Sequence, residues 1–503
     1  MTSKQAKNGD VLFLWTYVMF LLLVATYFCA PIHHPNFYFQ LTLGNWIRHN
    51  SELPVQDLWS AAGEGAAFYS DSWLFAAVVS IIEQYWGENG LLYAKLLLFV
   101  SFVGLLGSAL SAKAGSRFVG ASLTAVVAAA VFESSSLEPN VLGWALFFYC
   151  LEVCSRLSSA QDFAKNLSRL TLLLVLFVNV HASAYLAIGW ILFTIWSGAD
   201  LSAKQKTIAA AAVAASVLCT PYFGSQLPPV LGAFFTQTAH DLLVHPNAGT
   251  AFHFSIAFVV LLWVLLLLCL HQAPTALKAR DAALAAVLTL AALMSVDYAP
   301  YAIIGLAYAL AQVWGAAGAE NLGNLGVGID ALHQRAVSWD QKGIIWVMFC
   351  LVIVNGVQLS RLPLSLGGYP IKALDYIVNE NLPGPILTDS RFAPYVAYRT
   401  AAADGVPTTK PSVDPRTPSL NLELGNMMSM FERSGRRAEE FLNATDPGAI
   451  LCREESLLCE LAQLSSAWEL KFEWYKSVDD PEPLPQALRK GTSWRIYLPA
   501  NPQ

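Results

Sequence analysis

The sequence contains few charged residues: Asp, Glu, Lys and Arg make up 13% of its 503 residues, whereas hydrophobic residues make up 55%. Soluble globular domains average about 25% charged residues, so this composition excludes an ordinary soluble protein. The formal net charge is −6. Because proteins bind nucleic acid through basic surfaces, this acidic balance argues against a nucleic-acid partner.

Cysteine is also scarce, and its placement indicates packing. The eight cysteines lie mainly inside apolar runs, which is typical of buried thiols rather than of a disulfide or metal framework. Cys452 and Cys459 are seven residues apart, which on a helix corresponds to about 10 Å. We therefore expect these two cysteines to remain unpaired, because a disulfide needs Cα atoms within about 7 Å of each other.

Several catalytic motifs are absent from the sequence. It has no Walker phosphate-binding loop, no His-Glu-x-x-His zinc motif and no Ser-His-Asp motif. No glycine-rich phosphate fingerprint follows any of the predicted strands. The sequence therefore gives no support to P-loop nucleotide hydrolysis, dinucleotide binding or zincin-type proteolysis.

Long apolar runs dominate the chain up to about residue 360. Runs of roughly 14–22 residues are typical of membrane-spanning helices and predict a polytopic membrane domain over residues 1–360. The eleven predicted spans cover residues 11–30, 90–111, 117–132, 138–156, 169–180, 182–198, 206–220, 253–270, 281–296, 298–316 and 343–360. Residues 31–89 and 221–252 form long outer loops in this prediction, and residues 315–342 form a flexible Gly/Ala-rich linker.

Positive charge is distributed asymmetrically between the short loops. With the N-terminus inside, the inner side carries Lys4, Lys7, Lys113, Arg117, Arg156, Lys165, Arg169, Lys204, Lys206, Lys278, Arg280, Arg335 and Lys342. The outer side before the C-terminal domain carries only Arg48 and the membrane-edge Lys95. This positive-inside pattern predicts a cytoplasmic N-terminus and a C-terminal domain outside. Pro31, at the would-be cleavage junction of the first segment, favours an uncleaved anchor.

The segment Trp73–Trp86 is the main ambiguity in this topology. It is 14 residues long, contains Glu83 and ends in an aromatic pair, which predicts an interfacial helix lying along the membrane. Treating the segment as a span would move Lys113 and Arg117 to the outer side and break the charge asymmetry. We therefore place it within the first outer loop.

The composition changes at about residue 361, where charged residues and prolines become more frequent. Short apolar strands then alternate with helical segments up to residue 503, which predicts a small α/β domain. The predicted strands are PILTDS, SVDPR, AILCR, WELKFEWYKS and SWRIYLP. The predicted fold class is an α-helical polytopic membrane protein, with about 11 transmembrane helices and a C-terminal soluble α/β domain over residues 361–503.

Two aspartates in the first outer loop are the candidate catalytic residues. Asp57 follows Pro54 and precedes LWS, where the alternative is a turn or helix-capping carboxylate. Asp71 precedes the predicted interfacial helix, where the alternative is capping of the amides of Trp73 or Leu74. Either carboxylate has the chemistry of a general acid or base.

Histidines on the predicted outer side are candidate metal and substrate ligands. His33 and His34, together with Asp57 or Asp71, could form a His/carboxylate site for a divalent metal; interfacial histidines are the alternative. His181 lies in a tight turn between two predicted spans, and an ionisable residue at membrane depth is a functional candidate. A structural hydrogen bond explains His181 equally well.

Six segments follow one another along the chain: HPNFYFQLTLGNWIRHNSELPVQDLWS, SDSWLFA, FVNVHAS, CTPYFGSQL, DYAPYAI and KPSVDPR. Their order and spacing resemble those of a large, mostly uncharacterised bacterial group of GT-C-like membrane proteins. GT-C glycosyltransferases use polyprenyl-phosphate-linked sugars and carry a catalytic acid in the first outer loop. Within the first segment, the aromatic run predicts either an aromatic belt helix at the interface or a sugar-stacking platform.

The resemblance implies a GT-C-like fold in a bacterial inner membrane, with a polyprenyl-phosphate sugar or another lipid as the bound partner. It implies that catalysis depends on Asp57 or Asp71. The substrate-binding residues that it implies are Asn36, Gln40, Trp46 and His181. We also expect residues 31–72, the His181 turn and residues 221–252 to converge on one outer cavity.

The chain departs from the group at positions that matter for activity. Glu138 in LEPN and Asp297 in VDYAP stand where the group has arginines that could hold a lipid phosphate. A phosphate in a low-dielectric cleft needs cationic or metal partners, so these acids oppose phosphate binding. Two hypotheses therefore remain: an inverting membrane glycosyltransferase, and a catalytically degenerate GT-C-like scaffold that binds partner proteins through its outer domain. A transporter is less well supported, because the charged residues lie at one face and no inverted repeat is visible.

Overall fold

A computed structural model describes residues 3–29, 36–132, 136–157, 162–197, 201–225, 254–294, 298–338, 341–361, 369–417, 421–475 and 493–500. The described chain is mostly helical and divides into two compact units. Unit 1 comprises Met1–Ala30, Leu92–Thr220 and Thr238–Arg361; unit 2 comprises Pro31–Leu91, Pro221–Gln237 and Leu362–Gln503. Unit 2 thus joins the first predicted outer loop to the C-terminal region. The predicted boundary between the membrane domain (residues 1–360) and the C-terminal domain (residues 361–503) stays a prediction.

Unit 1 is built from helices. They are α1 (Ser3–Tyr27), the second part of α3 (Trp73–Ala114), α4 (Arg117–Ala130), α5 (Pro139–Ser155), α6 (Phe163–Val178), α7 (Ala184–Ser197), α8 (Ala203–Ala215), α9 (Phe254–Gln272), α10 (Ala279–Met294), α11 (Ala299–Ala317), α12 (Gly323–Ser338) and α13 (Gln341–Arg361). In the described residues, each predicted span coincides with one of these helices. Four helices are long and apolar enough to cross a membrane, within α3, α9, α11 and α13, and three shorter apolar helices accompany them. The apolar helices indicate a membrane protein.

The core of unit 1 is formed around α11, whose residues from Ala299 to Trp314 are all buried. Rings of α5 pack against it: Phe147 lies 5.3 Å from Tyr301, and Phe148 lies 5.1 Å from Tyr308, between ring centroids. The small residues of α11 allow this close packing, because alanine and glycine let neighbouring helices approach.

Helix α3 is 42 residues long and is broken by one residue, Gly87, with φ 60° and ψ −156°. Glycine tolerates this backbone conformation because it has no Cβ atom. The break separates the segment predicted as an interfacial helix from the span predicted at 90–111. The structure confirms a helix at Trp73–Trp86, and it joins that helix to the span without an intervening loop.

The predicted flexible linker at 315–342 is wrong. The region continues α11, forms a 3₁₀ turn at Ala319–Leu322 and then forms the 16-residue helix α12. Gly318 and Gly323, with φ of 71° and 56°, make the turns between these helical segments. These two glycines form the turns, and the residues after Gly323 continue as a helix.

Unit 2 contains α2 (Asn36–Asn50), the first part of α3 and a C-terminal α/β region. The C-terminal elements are α14 (Ile371–Asn379), β1 (Ile386–Leu387), α15 (Ala393–Thr400), α16 (Leu422–Ser434), α17 (Ala438–Thr445), β2 (Ala449–Arg453), α18 (Leu457–Leu464), β3 (Trp468–Tyr475) and β4 (Ser493–Pro499). In the described residues the sheet has the order β1-β2-β4-β3, parallel between β1 and β2 and antiparallel elsewhere. The predicted small α/β fold is confirmed, except that SVDPR (residues 412–416) forms no strand; Pro411, just before it, forms an isolated bridge with Ile386.

One face of the sheet carries the core of the C-terminal region. Leu387, Ile450, Cys452 and Tyr497 pack there against Phe431 and further apolar residues of α16, α17 and α18. Cys452 and Cys459 form a disulfide, with Cα atoms 5.3 Å apart. The expectation that they stay unpaired is wrong, because it placed both on one helix. Cys452 lies in β2, and the chain turns back into α18 before Cys459.

Candidate active site

Helices α2 and α3 pack tightly, which fixes the side chains of the first loop. A Cβ atom on Gly44 would lie 2.1 Å from the carbonyl oxygen of Ala76, so only glycine allows this approach. Next to this contact the Ser80 hydroxyl donates to Asn45 Oδ1 at 2.7 Å, and Arg48 Nε donates to Ser80 Oγ at 3.3 Å. The Gly-x-Trp motif therefore serves helix packing.

Asp71 and Gln40 meet at the start of α3. The Ser72 hydroxyl lies 3.2 Å from Asp71 Oδ1 and 3.2 Å from Gln40 Oε1, and it can donate to either acceptor. Gln40 is buried, whereas Asp71 is partly exposed. A carboxylate with an exposed face and a hydroxyl neighbour can accept a proton from a bound acceptor group. We call Asp71, Ser72 and Gln40 the Asp71 site.

Asp57 has a different environment in the same loop. Its side chain is completely buried, and Oδ2 accepts a 2.6 Å hydrogen bond from Ser60 Oγ. Oδ1 accepts from Arg416 Nη1 at 2.8 Å and from the amide of Trp59 at 3.4 Å. Arg416 Nε also donates to Asp414 Oδ2 at 3.0 Å. We call Asp57, Ser60, Asp414 and Arg416 the Asp57–Arg416 cluster.

Aromatic rings and backbone pairing enclose this cluster. The Arg416 guanidinium lies 4.2 Å from the ring centroid of Phe39 and within 6 Å of those of Trp59 and Phe68. The amide of Ala61 donates to the carbonyl of Pro411 at 2.9 Å. Burial alone would lower the pKa of Arg416, but Asp414 and Asp57 outweigh it and leave that pKa raised. The cluster joins the first loop to the C-terminal region of unit 2.

Tyr222 connects the segments before the two aspartates. Its hydroxyl donates to the carbonyl of Pro54 at 3.2 Å and accepts from the amide of Ser70 at 3.4 Å. Its ring packs edge-on against Tyr69 at 5.4 Å between centroids. Burial raises the pKa of Tyr222 to about 12, with the Asp71 charge adding to the increase. The phenol is therefore protonated and available as a donor at physiological pH.

The aromatic run of α2 is mostly internal. Phe37 and Tyr38 are buried, and Tyr38 packs against Tyr395 at 4.7 Å between centroids. These two rings are placed neither as a belt nor as an exposed stacking platform. Asn36 is exposed at the first residue of α2, and Trp46 is half-buried, with its ring 6.4 Å from that of Trp59. The substrate-binding roles of Asn36 and Trp46 stay predictions.

His181 belongs to unit 1, whereas the two aspartates belong to unit 2. The amide of Ser183 donates to His181 Nδ1 at 3.2 Å, and the Ser183 hydroxyl lies 2.7 Å from the same nitrogen. A neutral ring that accepts at Nδ1 carries its proton on Nε2. Gly143 of α5 adjoins the imidazole, since a Cβ atom there would lie 3.1 Å from Nδ1. The predicted convergence on one outer cavity stays a prediction.

The predicted metal ligands His33 and His34, and also Asp297, lie outside the described residues. Within the described residues, no group of three or more His, Cys, Asp or Glu side chains is arranged to hold a metal ion. The predicted metal site stays a prediction, and we assign no chemical step to a metal ion.

Sequence reasoning missed Arg416 and Tyr222 as partners of the two aspartates. Both lay within segments quoted for the resemblance, KPSVDPR and CTPYFGSQL. Their order along the chain gave no information on which distant segment each would contact. A buried charge requires a partner. The partner of Asp57 could be identified only from the tertiary structure, because the sequence does not show which distant segment contacts it.

Comparison with known proteins identifies the fold. No family model matches the sequence, and no curated protein matches it either. Among solved structures, the chain is similar to the Archaeoglobus fulgidus oligosaccharyltransferase in complex with Zn and sulfate, with a TM-score of 0.51 and 12% identity over 87% of this chain and 68% of that one. For the same enzyme tethered to an acceptor peptide containing the NVT sequon, the TM-score is 0.52 and the identity 11%, over 88% and 69%. At this identity the likeness concerns the fold alone: the chain has a fold similar to that of this oligosaccharyltransferase.

Proposed function

We propose that this chain is a membrane glycosyltransferase that takes a sugar from a polyprenyl-phosphate carrier, with Asp71 as general base. The observation that carries the proposal is the partly exposed Asp71 carboxylate in the first loop of a GT-C-like fold. The archaeal oligosaccharyltransferase with this fold is itself a glycosyl-transferring enzyme that has been captured with an acceptor peptide. The motif order supports assignment to the bacterial GT-C-like group.

The proposed reaction is a single displacement. The acceptor hydroxyl attacks the anomeric carbon of the sugar, and its proton passes to the Asp71 carboxylate. The bond from the anomeric carbon to the phosphate oxygen breaks, the phosphate keeps the electron pair, and the anomeric configuration inverts. Ser72 would hold Asp71 in position when its hydroxyl donates to Asp71 Oδ1, and Gln40 Oε1 is the alternative acceptor for the same proton. Catalysis in such a reaction depends mainly on positioning and on charge stabilisation.

The test compares Asp71→Asn with Asp57→Asn in cells that depend on this chain for a glycan. General-base catalysis contributes roughly 10²–10⁴-fold, so Asp71→Asn should reduce transfer by that factor at unchanged protein level. Asp57→Asn should instead lower the amount of folded protein, since it weakens the bonds to Arg416 and Ser60. The measurements are glycan mass spectrometry and quantification of the protein in the membrane.

Full glycan transfer by Asp71→Asn would remove the proposed base. If the double variant also transferred normally, the second hypothesis, a catalytically degenerate scaffold, would replace the enzyme. Two observations favour that hypothesis: Asp57 is fully engaged with Arg416, and Glu138 stands where an arginine is expected. A scaffold should then co-purify with partner proteins in a fixed ratio.

We further propose eleven spans in a bacterial inner membrane, with the N-terminus in the cytoplasm and the C-terminal region in the periplasm. The charge asymmetry supports this orientation. The Cys452–Cys459 disulfide supports it independently, because disulfides persist in oxidising compartments. Reporter fusions at Ser202 and Gly367 should report cytoplasm and periplasm respectively. The same signal from both fusions would eliminate the eleven-span topology.

A further inference from the structure

Unit 1 contains a buried cation that the Asp71 site does not use. Lys95 of α3 is 3% exposed, and its ammonium has no hydrogen-bond partner among the described residues. The Ser136 hydroxyl is equally buried and equally without a partner in that part of the chain. A desolvated ammonium costs several kcal/mol unless an anion or hydrogen-bond acceptor compensates. Within the described residues neither donor has a hydrogen-bond acceptor, and the ammonium is compensated only by the electrostatic interactions described next.

The surroundings of Lys95 include the residue before α5 and the segment just after α1. Phe102 of α3 packs against Trp144 of α5, with ring centroids 6.1 Å apart. Lys95 and Glu138 lie about two turns before Phe102 and Trp144 respectively. Cys29 and Glu138 are close enough to Lys95 to interact with it electrostatically. Glu138 is itself buried, with 5% exposure.

The distribution of charge makes Lys95 unusual within unit 1. All other Lys and Arg residues of this unit fall on the predicted inner side, except Arg361 at the end of α13. The two positions where arginines are expected hold Glu138 and Asp297. A polyprenyl-phosphate donor brings a phosphate that must find a cation in a low-dielectric environment. Lys95 of α3 is a buried cation that could pair with such a phosphate, although it lies on a different helix from the expected arginines.

We infer that Lys95, together with the Ser136 hydroxyl, binds the phosphate group of the lipid carrier. The inference rests on the proposed function, because it takes the lipid carrier from it. An ammonium and a hydroxyl both donate to phosphate oxygens. The neighbouring Glu138 carboxylate opposes the phosphate by like-charge repulsion, so it limits the affinity of the site.

The test measures binding rather than transfer, so that its failure differs from failure of the proposed function. The purified protein in detergent is titrated with undecaprenyl phosphate, and the affinity is read from native mass spectrometry and thermal shift. Lys95→Met should weaken binding roughly ten- to hundredfold, which is the usual value of a charge-assisted hydrogen bond. Lys95→Arg should retain binding within several-fold. Lys113→Met is the matched control, because Lys113 lies in the same helix with its ammonium 4.6 Å from the Tyr308 ring centroid.

Glu138→Gln should change the affinity for undecaprenyl phosphate in the direction opposite to Lys95→Met. Removal of the repelling carboxylate should tighten undecaprenyl phosphate binding several-fold, whereas a purely structural role for Glu138 predicts weaker binding and a less stable protein. Undecaprenol, which lacks the phosphate, should not bind measurably in either protein. Competition by inorganic phosphate would assign recognition to the phosphate group itself, and lack of competition would assign it to the lipid-linked form.

Equal affinity of Lys95→Met and the wild type for undecaprenyl phosphate would overturn the inference, even if Asp71 proved indispensable for transfer. Equal losses in Lys95→Met and Lys113→Met would also overturn it, since the effect would not be specific to the buried ammonium. Conversely, tight binding by an inactive Asp71→Asn protein would support the site while leaving transfer to be decided separately.

Discussion

Asp57 and Asp71 lie in the same loop, 14 residues apart in sequence, yet their environments are opposite. The Asp57 carboxylate is completely buried and receives hydrogen bonds from Arg416, Ser60 and the Trp59 amide. Asp71 is partly exposed and bonds to the Ser72 hydroxyl. Asp57 is the aspartate whose position best matches the motif. Its carboxylate, however, already accepts hydrogen bonds from other residues of the protein.

This difference separates two uses of a carboxylate. A general base must reach the proton that it removes, within about 3 Å or through one water. A buried ion pair that is fully hydrogen-bonded is instead suited to holding two chain segments in one arrangement. By this criterion the geometry favours Asp71 for chemistry and Asp57 for structure. The catalytic assignments themselves stay predictions until the variants are assayed.

The largest stability effect in this comparison should come from Arg416→Met. The variant leaves the carboxylates of Asp57 and Asp414 buried without their shared cation, which costs about 3–5 kcal/mol. We expect a lower thermal unfolding midpoint and less protein in the membrane. Tryptophan fluorescence during heating and quantitative immunoblotting measure these two effects.

Arg391→Met is the control for Arg416→Met. Arg391 is largely exposed, and its guanidinium is 4.0 Å from the carboxylate of Asp389, so its removal should cost less than about 1 kcal/mol. If Arg416→Met were as stable as Arg391→Met but inactive in transfer, the Asp57–Arg416 cluster would be part of the chemistry. The comparison between the two aspartates would then be reversed.

Much of the helical architecture could be predicted from the sequence, because apolar runs report directly on burial in a membrane or a core. The predictions failed where local sequence was read without its tertiary context. Residues 323–338 form α12 although Gly323, Gly326 and Gly328 lie within it, and Cys452 pairs with Cys459 because a strand and a helix fold back on each other. Both errors came from assigning one conformation to a segment that contains two.

For the candidate site, the sequence could predict which residues take part but not which of them contact one another. Asp71 and Gln40 were both proposed, and the structure brings them to one serine. The partner of Asp57 is 359 residues away in sequence, and no spacing rule connects residues at that separation. The resemblance supplied both motifs but not their contact, since the order of motifs does not specify tertiary pairs. Lys95 appeared in the sequence as an ordinary membrane-edge lysine, and only its burial distinguishes it.

The smallest effect should come from Tyr222→Phe, which tests whether the two aspartates are coupled. The hydroxyl bonds to the carbonyl of Pro54, near Asp57, and to the amide of Ser70, next to Asp71. Its removal should cost about 1 kcal/mol of stability. It should also reduce transfer roughly three- to tenfold, because the Asp71 segment loses one of its positioning contacts.

The pH dependence of the Tyr222→Phe variant separates this positioning role from a role in proton transfer. Burial raises the pKa of Tyr222 from the ordinary value of 10.0 to about 12. The stability that the buried phenol contributes is therefore complete below pH 10 and is lost as the pH rises through about 12. The stabilities of wild type and variant, measured by chemical denaturation, should differ by a constant amount at pH 6–9 and converge above pH 10.

The transfer rates of the two proteins should keep a constant ratio over pH 6–9. A ratio that changes in that range would mean that removing the hydroxyl alters the titration of the Asp71 base, and Tyr222 would then belong to the proton-transfer machinery rather than to the support between the two aspartates.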